Sequence, residues 1–451
     1  MHRDRRQRPR EAQPQSGDER ARRSRQGRAA RGRLRGAPAP GTRSARARTP
    51  SAPVPGSPWH GGSFYAARSS AVRAASGLES ARDYSDDFRM QITAIRTHTA
   101  EPVSLCAVET SDGLVGWGQL GLFRGGLSAE VLHAQIAPQL IGKPSDDIDG
   151  LCRRVVIRDY KWAGAHFSRA LAGVETALRD LAGKRAGKPV CELLGGRCGP
   201  VPVYGSSMRR DLGPEAELER MRRLQGERGF QAFKIKIGER WGADRDAAPG
   251  RTERLIERMP LVLEPGTRLL ADANSGFGVA RAIEIGARLE QAGFWAFEEP
   301  TPCLEWERWI EVASALTIPV AGGEHASSEQ ELGRMLRFGA VDIVQPDLGY
   351  VGGVGPALRV AEMAAASKRG CLPHSANRSL QFVFTLHAIR AFPDPPPFAE
   401  CSIEETPWAT GIYDPQPVVE DGVVRLSGEP GWGVRIRESW IAQAEARETR
   451  G

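Results

Sequence analysis

The sequence predicts an α/β protein whose largest part is a closed barrel of eight parallel strands. Two observations predict this fold class. After residue 200, eight short β-rich runs alternate with helical stretches, and strands separated by helices of about 10–15 residues form parallel sheets that close at eight units. In addition, Asp272, Glu298 and Glu324 end three apolar runs and lie 26 residues apart, the length of one strand and its return helix.

The net charge of +7 comes from the N-terminus. Residues 1–50 contain 16 Arg and four acids, a net of +12, and residues 51–89 contain four Arg and four acids. Residues 90–451 therefore carry a net −5 (7 − 12 − 0). Residues 1–89 have few large apolar side chains to offset the entropy of ordering, so we predict a disordered tail.

Three hypotheses apply to this tail. An Arg- and Ser-rich, acid-poor leader is typical of organelle transit peptides. A basic arm over residues 1–50 could bind nucleic acid or an acidic partner, and we expect no nucleic-acid partner elsewhere. We favour the third, that residues 1–89 are not a functional segment, because Met90 directly precedes the first predicted strand.

Composition also bounds the setting of the protein. No apolar run approaches 18 residues, so we expect no membrane partner. The seven cysteines are odd in number and form no C-x-x-C pair. We therefore predict reduced, scattered thiols and a cytoplasmic location.

Residues 90–200 predict a small α+β domain. Two alternating runs, VSLCAVET (103–110) and LVGWGQL (114–120), flank an SDG turn and predict a β-hairpin. Residues 166–187 repeat apolar side chains at helical spacing and end in Lys, Arg and Gly, which predicts a helix.

Residues 201–403 contain the eight β-rich runs of the predicted barrel. The runs are VPVYGSS, AFKIKIG, RLLADAN, WAFEEP, IPVAGGE, VDIVQPD, GCLPHS and FAECSIE. A glycine cluster at 349–355 lacks the lysine of a phosphate loop, so we expect a tight turn into a helix there. Residues 421–436 predict a hairpin, and we expect residues 404–451 to return to the N-terminal domain.

The three evenly spaced acids predict a metal site. Active sites of parallel barrels lie at the carboxyl ends of the strands, where Asp272, Glu298 and Glu324 would converge. Converging carboxylates repel unless a cation neutralises them, and oxygen ligands suit Mg²⁺ or Mn²⁺. Any one acid alone could instead be a helix N-cap. Of the adjacent pair, we expect Glu298 and not Glu299 to face inward.

Two lysines are candidates for a base. Lys234 and Lys236 share one face of their strand, which we expect to be the barrel interior. Crowding and burial would lower lysine pKa values and provide a neutral amine. The alternative is two exposed lysines on a frayed strand end. Asn274 shares a face with Asp272 by the same spacing and is a candidate for substrate contact.

The later strand ends supply further candidates. Asp347 and His374 end neighbouring predicted strands, so the carboxylate could hold one imidazole nitrogen. A histidine in such a turn is otherwise a structural residue. Glu400 ends the eighth run, where it could bind a substrate oxygen or form a structural ion pair. His325 should point to the opposite face from Glu324 if its strand persists.

With these motifs in place, the chain over about 90–440 resembles the enolase superfamily, and within it the mandelate racemase subgroup. The ordered set and its spacing carry the resemblance, not any single motif. The motifs are KIK (234–236), DAN (272–274), EEP (298–300), GE (323–324), QPD with GG (345–353) and PHS (373–375).

The resemblance implies a modified TIM barrel of the (β/α)7β type under an N-terminal α+β capping domain. It implies one Mg²⁺ held by Asp272, Glu298 and Glu324. It further implies roles for five other residues, with Lys236 as one base, His374 paired with Asp347 as the other, Lys234 neutralising a substrate carboxylate and Glu400 hydrogen-bonding it.

Such enzymes remove the proton α to a carboxylate of a small acid. We favour dehydration of an acid sugar to a 2-keto-3-deoxy acid, because the resembled subgroup contains more acid-sugar dehydratases than racemases. The first loop (97–105) is short and lacks an aromatic insert, which favours a polar acid over an aromatic one. The alternatives are a racemase or epimerase of a 2-hydroxy or amino acid, and a non-catalytic protein that kept the fold. Ser206, Ser207, Arg209 and Arg210 could add polar contacts to the substrate. We expect a homo-oligomer.

Overall fold

The computed structural model describes residues 90–451, so the tail predicted over residues 1–89 lies outside the described residues. The described part contains an N-terminal α+β domain, a parallel barrel and a C-terminal segment whose strands pair with both. None of the helices in residues 90–451 is long and apolar enough to cross a membrane.

The N-terminal domain is an antiparallel sheet covered by helices. Its sequential strands are β1 (Ile92–Ala100), β2 (Val103–Thr110) and β3 (Val115–Gln119). The predicted hairpin is confirmed, with Gly113 at a φ of +80° in the turn between β2 and β3.

The helices of this domain follow β3. They are α1 (Gly125–Val131), α2 (Ala137–Leu140), α3 (Ile148–Arg158), α4 (Ala165–Ala186) and α5 (Val190–Leu193), with a π-helical turn (Leu132–Ile136) between α1 and α2. The helix predicted over 166–187 is therefore confirmed as α4. It packs very close to β3, because a Cβ at Gly118 would lie 2.1 Å from the carbonyl oxygen of Gly173.

Eight parallel strands form the barrel, one in each predicted run. They are β4 (Pro200–Ser206), β5 (Ala232–Lys236), β6 (Arg268–Asp272), β7 (Ala296–Glu298), β8 (Val320–Gly322), β9 (Ile343–Val344), β10 (Gly370–Cys371) and β11 (Ala399–Ser402). Each strand from β4 to β9 pairs with the next along the chain, and β11 pairs with β4.

Helical connections join successive strands and cover the outside of the barrel. They are α6 (Pro214–Arg228), α7 (Arg251–Val262), α8 (Val279–Gln291), α9 (Arg308–Ala315), α10 (Glu329–Phe338), α11 (Leu348–Val351), α12 (Val354–Ala366) and α13 (Leu380–Ile389). Because α11 and α12 share one connection, the described chain has seven connections for eight strands. This confirms the (β/α)7β barrel.

Side chains fill the barrel below its carboxyl end. Alternate residues of the strands point inward, and a separate cluster of buried apolar side chains occupies this interior. Its members are Tyr204, Ala232, Leu270, Ala296, Ala321, Ile343, Leu372 and Phe398. This layer forms an apolar floor beneath the polar residues at the strand ends.

The segment after the barrel contains short elements. They are α14 (Pro407–Thr410), β12 (Tyr413–Asp414), β13 (Val419–Glu420), β14 (Val423–Arg425), β15 (Arg435–Ile436), α15 (Glu438–Ile441) and β16 (Glu445–Arg450). The final strand β16 pairs with β1.

The hairpin predicted over 421–436 is wrong in its extent and position. The observed hairpin joins β13 to β14, and β14 pairs with Pro200–Pro202 of the barrel strand β4. That part of β4 extends beyond its pairing with β5 and β11 and offers a free strand edge. β15 pairs with β12 instead.

The glycine cluster at 349–355 lies where the N-terminal domain contacts the barrel. α11 ends at Gly352, with a φ of +103°, and α12 begins after Gly353, which confirms the predicted turn. The Glu175 carboxylate of α4 accepts hydrogen bonds of 2.9 Å from the backbone amides of Val354 and Gly355. A Cβ at Gly353 would lie 2.4 Å from Glu175 Oε2, so this approach requires glycine.

Candidate active site

Three predicted residues lie side by side at the carboxyl ends of adjacent strands. Lys236 ends β5, Asp272 ends β6 and Glu298 ends β7. The register pairs Lys236 with Asp272 and Asp272 with Glu298. Residues paired across parallel strands share a face of the sheet, so the three side chains point into the barrel mouth together. All three are buried.

Glu324 reaches the same place beyond the end of its strand. After β8 the chain turns at Gly323, whose φ of +114° favours glycine. Burial and the negative charges of Asp272 and, less strongly, Glu324 raise the pKa of Glu298 to about 8. The three predicted metal ligands are thus close enough to repel one another.

Lys234 lies at the centre of the acids. Its Nζ is 2.6 Å from Glu298 Oε1, 2.8 Å from Glu400 Oε1 and 3.7 Å from Asp272 Oδ2. The Tyr204 ring lies below it, with its centroid 5.8 Å from Nζ. Burial opposes the charged ammonium, but the negative charges raise the pKa of Lys234 above its usual value. The predicted lowering is therefore wrong for this lysine.

Lys236 and Asp272 form an ion pair, and Asn274, in the turn after β6, orients the Asp272 carboxylate. Lys236 Nζ donates to Asp272 Oδ2, and the backbone amide of Asn274 donates to Asp272 Oδ1 at 2.7 Å. Arg210 Nη2 donates to Asn274 Oδ1 at 3.0 Å. Burial favours the neutral acid, but the charges of Lys236 and Lys234 hold the pKa of Asp272 below its usual range.

His374 and Asp347 are brought together by the neighbouring strands β9 and β10. His374 Nδ1 is 2.9 Å from Asp347 Oδ2, and Asp347 Oδ1 accepts hydrogen bonds from the amides of Gly349 and Tyr350. His374 Nε2 is 3.5 Å from Glu324 Oε2. Burial lowers the pKa of His374, but the charges of Glu324 and Asp347 outweigh this and raise it to about 10.

Glu400 occupies the last strand end and has its oxygens satisfied. Ser206 Oγ donates to Oε1 and the amide of Ser375 donates to Oε2, both at 2.7 Å. Burial favours the neutral acid, but the charges of Lys234 and His374 lower the pKa of Glu400 to about 2.

The expectation that only Glu298 of the EEP pair faces inward is wrong. Glu299 is also buried, and its φ of +41° places the backbone in the left-handed region, which turns the second carboxylate toward Glu324. Burial and the negative charge of Glu324 raise the pKa of Glu299 well above its usual value. Within residues 90–451, neither carboxylate oxygen of Glu299 has a hydrogen-bond partner.

Two further residues differ from the sequence analysis. His325 Nε2 lies 3.3 Å from Glu324 Oε1 rather than on the opposite face, because β8 ends at Gly322 and strand alternation stops there. Gln345 was not predicted, and its Nε2 donates to Glu298 Oε2 at 2.8 Å. Its position directly after β9 was the available signal.

The acids fit a hard divalent cation. Asp272, Glu298 and Glu324 are buried carboxylates that offer only oxygen ligands, the set that Mg²⁺ prefers. Glu324 Oε2 is a buried oxygen without a hydrogen-bond partner in the part of the chain described. A cation beside these acids would satisfy that oxygen and remove the repulsion that raises the pKa of Glu298.

Comparison with known proteins identifies the family. Residues 84–195 match the mandelate racemase/muconate lactonizing enzyme N-terminal domain, and residues 216–440 match the enolase C-terminal domain-like family. The crystal structure of a proposed racemase from Roseobacter denitrificans is 43% identical, with a TM-score of 0.78, and covers 80% of this chain and all of its own. The chain belongs to the mandelate racemase/muconate lactonizing enzyme family of the enolase superfamily.

Two further proteins are each similar over at least three quarters of this chain. Arabinonate dehydratase from Saccharolobus solfataricus is 28% identical over 362 residues, which cover 76% of this chain and 91% of the relative. A mandelate racemase/muconate lactonizing protein from Paracoccus denitrificans, solved in complex with magnesium, is 28% identical with a TM-score of 0.73 and covers 80% of this chain and 99% of its own.

Proposed function

We propose that the protein is a Mg²⁺-dependent acid-sugar dehydratase, which converts a sugar acid to a 2-keto-3-deoxy acid. The observation that carries the proposal is the position of two proton-transfer groups around one acid cluster. Lys236 extends from β5 and His374 follows β10, while the three acids extend from the strands between them. A substrate bound over the acids would meet one group on each side.

The carboxylate end of the substrate meets Lys234 in this proposal. Lys234 holds a positive charge at the floor of the mouth, 2.6 Å from Glu298 and 2.8 Å from Glu400. A bound divalent cation supplies the additional positive charge that makes removal of the α-proton accessible. Asn274 and Glu400 border the same cluster. The amide of Asn274 would donate to a substrate oxygen, and the ionised Glu400 would accept from a substrate hydroxyl.

Lys236 is the proposed base. It would accept the α-proton from carbon as a neutral amine, after releasing its own proton to solvent and leaving the ion pair with Asp272. His374 is the proposed acid. The charges of Glu324 and Asp347 raise its pKa and favour the protonated ring, and Asp347 holds Nδ1 so that Nε2 would donate to the departing hydroxyl.

The overall change is the loss of one water molecule. One C–H bond and one C–O bond break, a C=C bond forms, and the resulting enol becomes the 2-keto acid in solution. The arabinonate dehydratase relative supports this reaction class by its name.

A racemase or epimerase is the second candidate. The same two groups could remove a proton from one face of the substrate and return one to the other. The proposed racemase from Roseobacter denitrificans, which is the relative with 43% identity, favours this alternative.

The test is a screen of pentonates, hexonates and hexarates with purified protein and Mg²⁺. We expect a 2-keto-3-deoxy product from at least one acid, and none from Lys236→Ala or His374→Asn. His387→Asn is the matched control, because His387 is a buried histidine of α13 rather than of the mouth. Deuterium incorporation at the α-carbon without loss of water would favour the racemase, and no product from any acid by Mg²⁺-bound protein would reject the dehydratase.

A further inference from the structure

A second cluster of metal-ligating side chains lies beside the acid cluster. Glu299, Cys303 and His325 place one carboxylate oxygen, one sulfur and one ring nitrogen within 4.8 Å of one another. Glu299 follows β7, Cys303 lies in the turn after it, and His325 follows β8, so two adjacent strands present the three groups. Their chemistry differs from that of the oxygen-only set of Asp272, Glu298 and Glu324.

The buried carboxylate in this cluster points to a ligand. The side chain of Glu299 is 1% exposed, and both of its oxygens lack a hydrogen-bond partner in the described range 90–451. A buried carboxylate left in this state is costly. The imidazole of His325 lies close by, with its Nε2 3.8 Å from Glu299 Oε1.

The other two ligands are held so that an ion can enter. The amide of Cys303 donates to Ser275 Oγ at 3.0 Å, which fixes the turn that carries the thiol. Cys303 is partly buried, and the side chain of His325 is 49% exposed. A metal ion therefore has a path to the cluster from solvent, which a usable site requires.

We propose that Glu299, Cys303 and His325 bind a zinc ion, at a site separate from the proposed magnesium site. Sulfur, imidazole nitrogen and carboxylate oxygen together are the ligands of zinc, and Mg²⁺ does not take thiolate. Three protein ligands leave a fourth position for water or a small anion. Cys303 releases its thiol proton to solvent when the metal binds, and no redox change is involved.

Zinc binding at this site would affect the neighbouring magnesium site through His325. His325 Nε2 also lies 3.3 Å from Glu324 Oε1, and Glu324 is one of the three proposed magnesium ligands. Zinc at the second site would draw His325 toward Glu299 and Cys303 and would change the surroundings of Glu324. The site does not depend on which reaction the mouth performs.

The test is a calorimetric titration of metal-free, full-length protein with Zn²⁺ in the presence of saturating Mg²⁺. We expect one zinc per chain. Cys303→Ser and His325→Gln should each weaken zinc binding by at least about tenfold. Cys198→Ser is the matched control, because Cys198 is also partly buried, its sulfur contacts Leu426 and Ser427, and it should leave zinc affinity unchanged.

A second measurement keeps the test independent of folding. Co²⁺ added in place of Zn²⁺ should produce a sulfur-to-metal charge-transfer absorption in the wild type and in Cys198→Ser but not in Cys303→Ser. Thermal melts of the variants show whether they are folded. Equal zinc stoichiometry and affinity in the wild type and a folded Cys303→Ser would overturn the proposal, as would the absence of the cobalt–sulfur absorption in the wild type.

Discussion

Two histidines thirteen residues apart in the chain, His374 half-buried and His387 fully buried, have opposite environments. In the barrel mouth, the charges of Glu324 and Asp347 outweigh burial and raise the pKa of His374 to about 10. In α13, burial lowers the pKa of His387 to about 4, and its ring meets the edge of Trp432 and the amide of Cys191. The difference shows that the mouth concentrates negative charge around His374, whereas no acid offsets the effect of burial on His387.

The buried acids differ in the same way. Both oxygens of Glu175 accept backbone amides of α12, and Arg179 Nε lies 2.9 Å from Oε1. Glu299 is equally buried, yet neither of its oxygens has a hydrogen-bond partner within the described chain. Glu175 joins two domains, whereas Glu299 is left available for a cation.

The largest effect should come from the support of His374. Asp347→Asn keeps an oxygen for the amides of Gly349 and Tyr350, but it presents an NH₂ group to His374 Nδ1 and favours the wrong tautomer. We expect kcat on the identified substrate to fall by about 10²–10⁴-fold. The melting temperature should change little. Steady-state kinetics check this prediction, and an unchanged kcat contradicts it.

The next largest effect should be a loss of stability when Glu175, the acid that joins α4 to α12, is replaced. Glu175→Ala leaves two backbone amides of α12 and the largely buried Arg179 without their carboxylate. We expect the free energy of unfolding to fall by about 3–5 kcal/mol. Urea denaturation measures it, with Glu175→Gln as the milder control that keeps one acceptor oxygen. A loss below about 1 kcal/mol would show that this junction is not the stabilising contact we describe.

The pH dependence of stability should reveal the neutral histidine. The folded-state pKa of His387 is about 4, below the ordinary 6.5, so the unfolded chain takes up its proton first as the pH falls. Stability from this group is full above pH 6.5 and declines toward pH 4, by roughly 3 kcal/mol at most. His387→Asn keeps an acceptor for the Cys191 amide, and its unfolding free energy should fall less steeply over this range. Equal slopes in the two proteins would refute the assignment.

The smallest predicted change in stability comes from replacing Glu299, the buried acid without hydrogen-bond partners in the described chain, in contrast to Glu175. Glu299→Gln replaces a buried carboxyl group, whose pKa is raised by burial and by the charge of Glu324, with an amide that does not titrate. It should therefore stabilise the metal-free protein at neutral pH by about 1 kcal/mol. Thermal melts in a chelator measure the change. A lower melting temperature in the variant would mean that the carboxylate of Glu299 stabilises the fold, as that of Glu175 does.

Local pattern predicted the barrel well, because each strand lies in a short apolar run that has a polar residue at its end or a few residues beyond it. Asp272 and Glu298 could be placed at strand ends by counting residues. The left-handed backbone conformation of Glu299 could not be predicted, because the EEP sequence gives no sign that strand alternation stops there. The pairing of β16 with β1 joins residues about 350 apart in the chain and leaves no periodic signal.

The charge state of the site was also beyond the sequence. Lys234 was expected to be a crowded, neutral amine, but it meets three carboxylates from three different strands. Their combined effect depends on distances of 2.6 to 3.7 Å that spacing along the chain does not specify.

We expect the acids of the mouth, Asp272, Glu298 and Glu324, to hold a divalent cation. The most direct measurement is the binding of Mn²⁺ to metal-free protein, monitored by electron paramagnetic resonance. Mn²⁺ is suitable because it prefers oxygen ligands. We predict one saturable Mn²⁺ per chain that Mg²⁺ displaces, lost in Asp272→Asn and retained in Cys303→Ser. A wild type that binds no Mn²⁺, or a folded Asp272→Asn that binds it with unchanged affinity, would contradict the account.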